Sequence, residues 1–157
     1  MRAGLLALHQ HRLFVLPWYA VVRRPHEAIL AGQSMANKHS AKFLAIVEAA
    51  RAEIQECEAA ELRTMLDDGQ PIVVLDVRER HEYEAGHLVG SVHIGKGVLE
   101  RDIEKHGFGE DVRMVLYCGG GFRSALAAKS LKEMGYSNAF SLWGGWRGIQ
   151  AEGLPIE

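Results

Sequence analysis

The sequence has almost no cysteine: Cys57 and Cys118 are the only two in 157 residues. Two thiols build no disulfide framework. Their scarcity fits a reducing compartment, where a lone thiol is either catalytic or simply buried. Long apolar runs are also missing. None approaches the ~18–20 residues that a bilayer-spanning helix needs, so no membrane partner is expected. There is no large excess of charge of one sign: 18 basic residues against 20 acidic ones leave a net charge of −2. That gives no electrostatic reason to expect nucleic-acid binding. No internal repeat and no low-complexity segment occurs. What is present is ordinary for a globular protein, with 48% apolar and 24% charged residues. The length suits one domain with a full core and is short for two. Wholly disordered, collagen-like and disulfide-scaffold chains are excluded.

Charge is unevenly spread. Residues 1–34 hold four Arg and one acid, Glu27, whereas residues 35–157 hold 14 basic and 19 acidic residues. The apolar run Leu13–Val22 has the length of a signal-peptide core. Against that reading stand Pro17 inside it, Arg23 and Arg24 after it, and the lack of a clear Ala-x-Ala site. An organelle transit peptide would be richer in Ser and Thr. A short helix packing on the domain or a partner is a third alternative. The preferred reading is a leader or flexible segment over 1–34, with Met35 as a candidate start and a cytoplasmic location; targeting is kept as the alternative.

From Met35 onward, the chain alternates helical and extended patterns. Ser40 can cap a helix, and Phe43, Val47, Ala50 and Ile54 recur at helical spacing, which predicts a helix within 35–53. A short strand at 54–57 and a helix at 58–66 follow, closed by the turn at 67–71. Ile72–Val77 is a continuous apolar run broken only by Asp76, as expected of a strand covered on both faces. A short polar helix near 79–84, a strand at 92–94 and a helix at 98–105 come next. Arg113–Cys118 is a second buried strand, Ser124–Met134 a helix stopped by Gly135, and Ala139–Leu142 the last strand. The fold class is α/β, with a mainly parallel sheet and helices on both faces.

Ligands of open α/β sheets bind beyond the carboxyl ends of the strands, and Cys118 stands at such an end. It opens the segment Cys118-Gly119-Gly120-Gly121-Phe122-Arg123-Ser124, which runs directly into a helix. Three glycines let the loop curl with its N–H groups inward, which makes an anion-binding nest. The helix adds the positive end of its dipole. A thiol in that field falls below its free pKa of ~8.5. Arg123 adds a forked donor for an oxyanion. The alternative is a structural cysteine beside a glycine turn.

Taken in order, the motifs resemble the single-domain rhodaneses, a sulfurtransferase family. They are Leu75-Asp-Val-Arg78, Glu82-Tyr83, Gly86–Ile94, Cys118-x4-Arg123-Ser124 and Leu142-Trp-Gly-Gly-Trp146 with Gly153-Leu-Pro155. The resemblance covers residues 54–157. It implies a rhodanese-like, five-stranded mainly parallel sheet with helices on both faces. It implies that Cys118 takes sulfane sulfur from thiosulfate or another donor as a persulfide and passes it to cyanide or a thiol, with no cofactor. By motif position, Gly119 to Ser124 form the cradle and Arg123 the loop-closing cation. Implied partners are the small donor and acceptor and a thiol protein such as thioredoxin; the protein is expected to be a monomer or homodimer. The loop interior Gly119–Phe122 carries no Lys or Arg, whereas many thiosulfate-using members have a base there. Val89 and Gly95 replace the family's usual prolines.

Asp76 is assigned to supporting the site, Arg78 and Glu82 to a structural ion pair, and His87 to a structural hydrogen bond. Trp143 and Trp146 either wall the pocket, pack in the core or make a surface contact. The eight His residues show no metal spacing, so no metal is expected. Cys57 lacks a glycine cradle and is read as an inert core residue. Two other functions compete with sulfur transfer. One is a sulfur-carrier or regulatory module acting with a protein partner. The other is a Cdc25-like phosphatase or arsenate reductase, which needs Cys-x5-Arg; here Arg123 makes the spacing Cys-x4-Arg.

Overall fold

The computed structural model describes residues 39–157. The readings made for 1–34, and the first residues of the 35–53 segment, lie outside the described residues. The strands are β1 (Gln55–Cys57), β2 (Ile72–Asp76), β3 (Val92–His93), β4 (Arg113–Tyr117) and β5 (Ala139–Leu142). The helices are α1 (Ala41–Arg51), α2 (Ala59–Asp67), α3 (Arg80–Glu84), α4 (Leu99–Asp102), α5 (Phe122–Glu133) and α6 (Gly145–Glu152). The strands form one sheet in the order β1-β5-β4-β2-β3, and every pairing is parallel.

The central strand β4 explains the two-sided core. Side chains alternate across a strand. Met114 and Leu116 pack on one face with Ala127, Ala128 and Leu131 of α5, and with Leu99 and Ile103. Val115 and Tyr117 pack on the other, with Leu62 of α2 and Ile149 of α6. All four strand residues are fully buried, which is why the strand reads as an unbroken apolar run. Each such side chain contributes ~1.5–3 kcal/mol relative to exposure.

Three local differences from the sequence reading have clear causes. The expected helix at 98–105 is broken into a 3₁₀ turn at Lys96–Val98, α4, and a second 3₁₀ turn at Ile103–His106. Val98 has φ −132° and ψ 4°, outside the helical region. Leu99 and Ile103 are nevertheless buried, so the apolar spacing reports burial but not continuity. Second, α5 begins at Phe122, two residues before the expected Ser124, because Gly121 caps it in the left-handed conformation at φ +89°. Third, Arg78 and Glu82 do not pair. Arg78 precedes α3, so helical spacing does not apply to it, and its guanidinium turns back onto Asp76, with Nη2 2.6 Å from Oδ2.

Candidate active site

The site sits where β4 ends and α5 begins. Cys118 is 2% exposed and its Sγ points into the turn made by its own following residues. The Gly121 N–H donates to Sγ at 3.2 Å, and the Ser124 hydroxyl donates at 3.7 Å. Ser124 is held in turn by Ser141 of β5, with the two hydroxyl oxygens 2.9 Å apart. Burial alone pushes the Cys118 thiol up. The N–H groups of Ser124, Gly120 and Gly121 and the Ser124 hydroxyl outweigh it, so the thiol lies below its ordinary value. The sequence placed Gly119 to Ser124 around this sulfur; it did not identify Ser141, which lies 17 residues away from Ser124.

The second wall is the turn between β5 and α6. A Cβ at Gly121 would stand 3.1 Å from the Leu142 carbonyl oxygen and 3.2 Å from the Gly144 nitrogen. Gly145 has φ +53°, and a Cβ there would collide with the carbonyl of Cys118. Gly145 therefore serves the close approach of two backbone segments, while Gly144 supplies the left-handed cap of α6 at φ +77°. The Trp146 N–H donates to the Cys118 carbonyl at 2.6 Å and ties α6 to the loop.

Arg123 is not an open cation. Its Nη1 and Nη2 donate to the two oxygens of Glu82 at 2.7 and 3.0 Å. This forked pair holds the Glu82 carboxyl down at about 2: the Arg123 hydrogen bond outweighs the opposing effect of burial. The Glu82 hydrogen bond first, and then the charge of the Cys118 thiolate, push Arg123 upward against its burial. Arg123 thus bridges α3 to the start of α5.

The supporting residues lie behind the cradle. Asp76 is fully buried and accepts from the Arg78 backbone N–H at 2.9 Å and from its guanidinium. Arg78 also donates to the Gly86 carbonyl at 2.7 Å and lies 4.4 Å from the Trp146 ring. His87 stacks on Tyr83 with ring centres 3.7 Å apart, and its Nδ1 is 3.1 Å from the Tyr83 carbonyl oxygen. Trp143 is half-buried, with the Arg51 guanidinium 4.3 Å above its ring.

The sequence reading did not bring α1 to the site. Arg51 donates to the Gly121 carbonyl at 3.5 Å and lies 5.1 Å from the Phe122 ring. The His39 ring is 4.6 Å from that of Phe122, and Phe43 is 6.2 Å from it. Helical spacing exposed the helix but carried no information about where it docks. Among the described residues, no cluster of His, Cys, Asp and Glu is arranged to hold a metal ion, and no helix is long and apolar enough to cross a membrane.

Fold and site together define an α/β protein with a strand-end cysteine cradled by a glycine loop. The chain belongs to the rhodanese-like domain family, whose model matches residues 58–152. A tRNA uridine(34) hydroxylase of Erwinia tasmaniensis is 32% identical over 63% of this chain. The match takes in 30% of that relative, so the chain spans under a third of the length of the curated relatives it resembles. Among solved structures, a Rhodopseudomonas palustris protein of unknown function, described as a possible tyrosine phosphatase, is 29% identical with a TM-score of 0.66. The alignment covers 79% of this chain and all of that one. A thiosulfate sulfurtransferase of Pseudomonas aeruginosa is 26% identical with a TM-score of 0.63, over 71% of this chain and 21% of its own.

Proposed function

We propose that the protein is a sulfurtransferase that carries sulfane sulfur as a persulfide on Cys118. That reading rests on one observation: the Cys118 sulfur lies within a ring of N–H donors closed by the Ser124 hydroxyl, which lowers its pKa despite its burial. The thiolate attacks the outer sulfur of the donor. With thiosulfate, the S–S bond breaks and its electron pair leaves on sulfite, giving Cys118–S–S⁻. Cyanide or a thiolate then attacks the outer sulfur and restores the Cys118 thiolate. Charge passes from one sulfur to another within the same cradle, so fixed N–H groups serve both half-reactions without rearranging. The likeness to a thiosulfate sulfurtransferase supports this reading.

The test is intact-protein mass spectrometry after separate incubation with thiosulfate, mercaptopyruvate and a persulfide donor. The wild type should gain the mass of one sulfur atom, and Cys118→Ser should gain none. An alcohol in this cradle is not appreciably ionised, so Cys118→Ser should also abolish thiocyanate formation. Thiocyanate production by Cys118→Ser at the wild-type rate would overturn the assignment.

A further inference from the structure

Three guanidinium groups border the Cys118 loop, and their charge balance differs. Arg123 is engaged by both oxygens of Glu82. Arg51, with a side chain 6% exposed, lies 3.0 Å from Glu48 and 3.2 Å from Glu56. Arg147, on α6, has no carboxylate partner and no side-chain hydrogen bond among the described residues. Two of the three charges are therefore neutralised locally, and the third is free to act on a ligand.

Arg147 is also held at the right place. A Cβ added to Gly120 would run into its guanidinium, so the group packs on the face of that glycine. The same Cβ would meet the Phe122 ring at 3.6 Å, which places an aromatic edge beside the cation. Gly120 supplies one of the N–H groups that stabilise the Cys118 thiolate. Arg147 is exposed, so its charge stands at the solvent-facing rim of the loop. The backbone beneath it is fixed: the Trp146 N–H binds the Cys118 carbonyl at 2.6 Å, and the Arg147 N–H reaches the Gly119 carbonyl at 3.4 Å.

We infer that Arg147 is the receptor for the anionic end of the sulfur donor, and that α6 supplies the cation missing from the loop interior Gly119–Phe122. The inference deepens the sulfur-transfer reading and rests on it. A donor of the thiosulfate type carries its charge on a sulfonate joined directly to the transferable sulfur. With the outer sulfur at Cys118, the sulfonate has to lie at the rim of a loop only six residues long. A guanidinium there offers two parallel donors to two sulfonate oxygens. The substrate class selected is a small oxyanionic sulfane donor in preference to a neutral one.

The experiment compares the full-length wild type with Arg147→Ala and Arg147→Lys. Steady-state thiosulfate:cyanide turnover gives KM and kcat; a single-turnover measurement follows discharge of the loaded persulfide by dithiothreitol, an acceptor that carries no sulfonate. Arg147→Ala should raise KM for thiosulfate by about tenfold, the scale of one charge-assisted hydrogen-bonded contact. Arg147→Lys should recover part of that loss. The dependence of thiosulfate kcat/KM on ionic strength should flatten in Arg147→Ala. A wild-type KM in Arg147→Ala would overturn the inference while leaving sulfur transfer standing. An equal loss in uptake and in discharge would overturn it too, because Arg147 would then be shaping the loop. Failure of the wild type to load Cys118 from any donor would remove the underlying reading itself.

Discussion

Cys57 ends β1, and Cys118 directly follows β4; both are buried free thiols. Burial, reinforced by the charges of Glu61 and Glu56, pushes the Cys57 thiol up to about 12. Cys118 is equally removed from water, and its N–H donors reverse the outcome. The difference lies wholly in what faces the sulfur. Ser124 is the donor most open to test, because its hydroxyl can be deleted without touching the loop backbone. Sulfur uptake follows the thiolate fraction, so it should rise with pH through the Cys118 pKa and level off above it. Ser124→Ala removes a donor to the thiolate and raises that pKa. The rising limb of single-turnover uptake should therefore move to higher pH, with the plateau rate little changed. An unshifted limb would show that the backbone N–H groups alone set the thiol's acidity. At this scale the sequence was informative wherever the chemistry was local. Cys118, the glycines and Ser124 lie within seven consecutive residues. The Glu82 partner of Arg123 lies 41 residues away, and Arg51 stands 70 residues from the Gly121 carbonyl it contacts. No local pattern can announce such contacts.

The loop from Cys118 to Arg123 acts as an element of its own. Its size is fixed by Gly121 as the left-handed cap of α5 and by the close backbone of the β5–α6 turn. Elements were legible for a physical reason: buried strands read as apolar runs, and Ser40 accepts the Phe43 N–H at 3.2 Å as a helix cap should. Their boundaries were less legible, because the α5 start depends on a glycine conformation and the segmentation of 98–105 on the backbone angles of Val98 and Asp102. A Cys-x4-Arg loop is one residue shorter than Cys-x5-Arg, and it is expected to admit a sulfur atom but not a phosphoryl group. Arg123 is moreover committed to Glu82. The wild type should show no aryl-phosphate hydrolysis above a Cys118→Ser background. Inserting one Gly between Gly121 and Phe122 should cost most of the sulfur transfer, since it displaces the Gly121 N–H from Sγ. Paired assays of thiocyanate formation and aryl-phosphate hydrolysis on both proteins check this. Robust Cys118-dependent phosphatase activity in the wild type would defeat the loop-size argument.

At the scale of the whole molecule, the family match and the physical unit around the site have different limits. The match begins at residue 58. Yet α1, entirely before it, brings Phe43 near Phe122 and sets Arg51 over Trp143. Val47 and Ala50 are buried as α1 packs along α5. A helix so placed covers apolar surface and braces the loop that carries Cys118. Two shortened chains separate these roles. A chain beginning at Met35 keeps every described element and should retain its melting temperature and sulfur transfer. A chain beginning at Ile54 keeps the sheet but loses α1. Exposing the apolar surface beneath α1 should cost a few kcal/mol, and the melting temperature should fall by on the order of 10 °C. Its sulfur uptake should drop more than the residual folded fraction accounts for, because Phe122 and Trp143 lose their cover. The measurements are thermal unfolding and single-turnover uptake at a temperature where both proteins are folded. Equal melting and equal uptake in the two chains would show that α1 neither stabilises the domain nor shapes the loop.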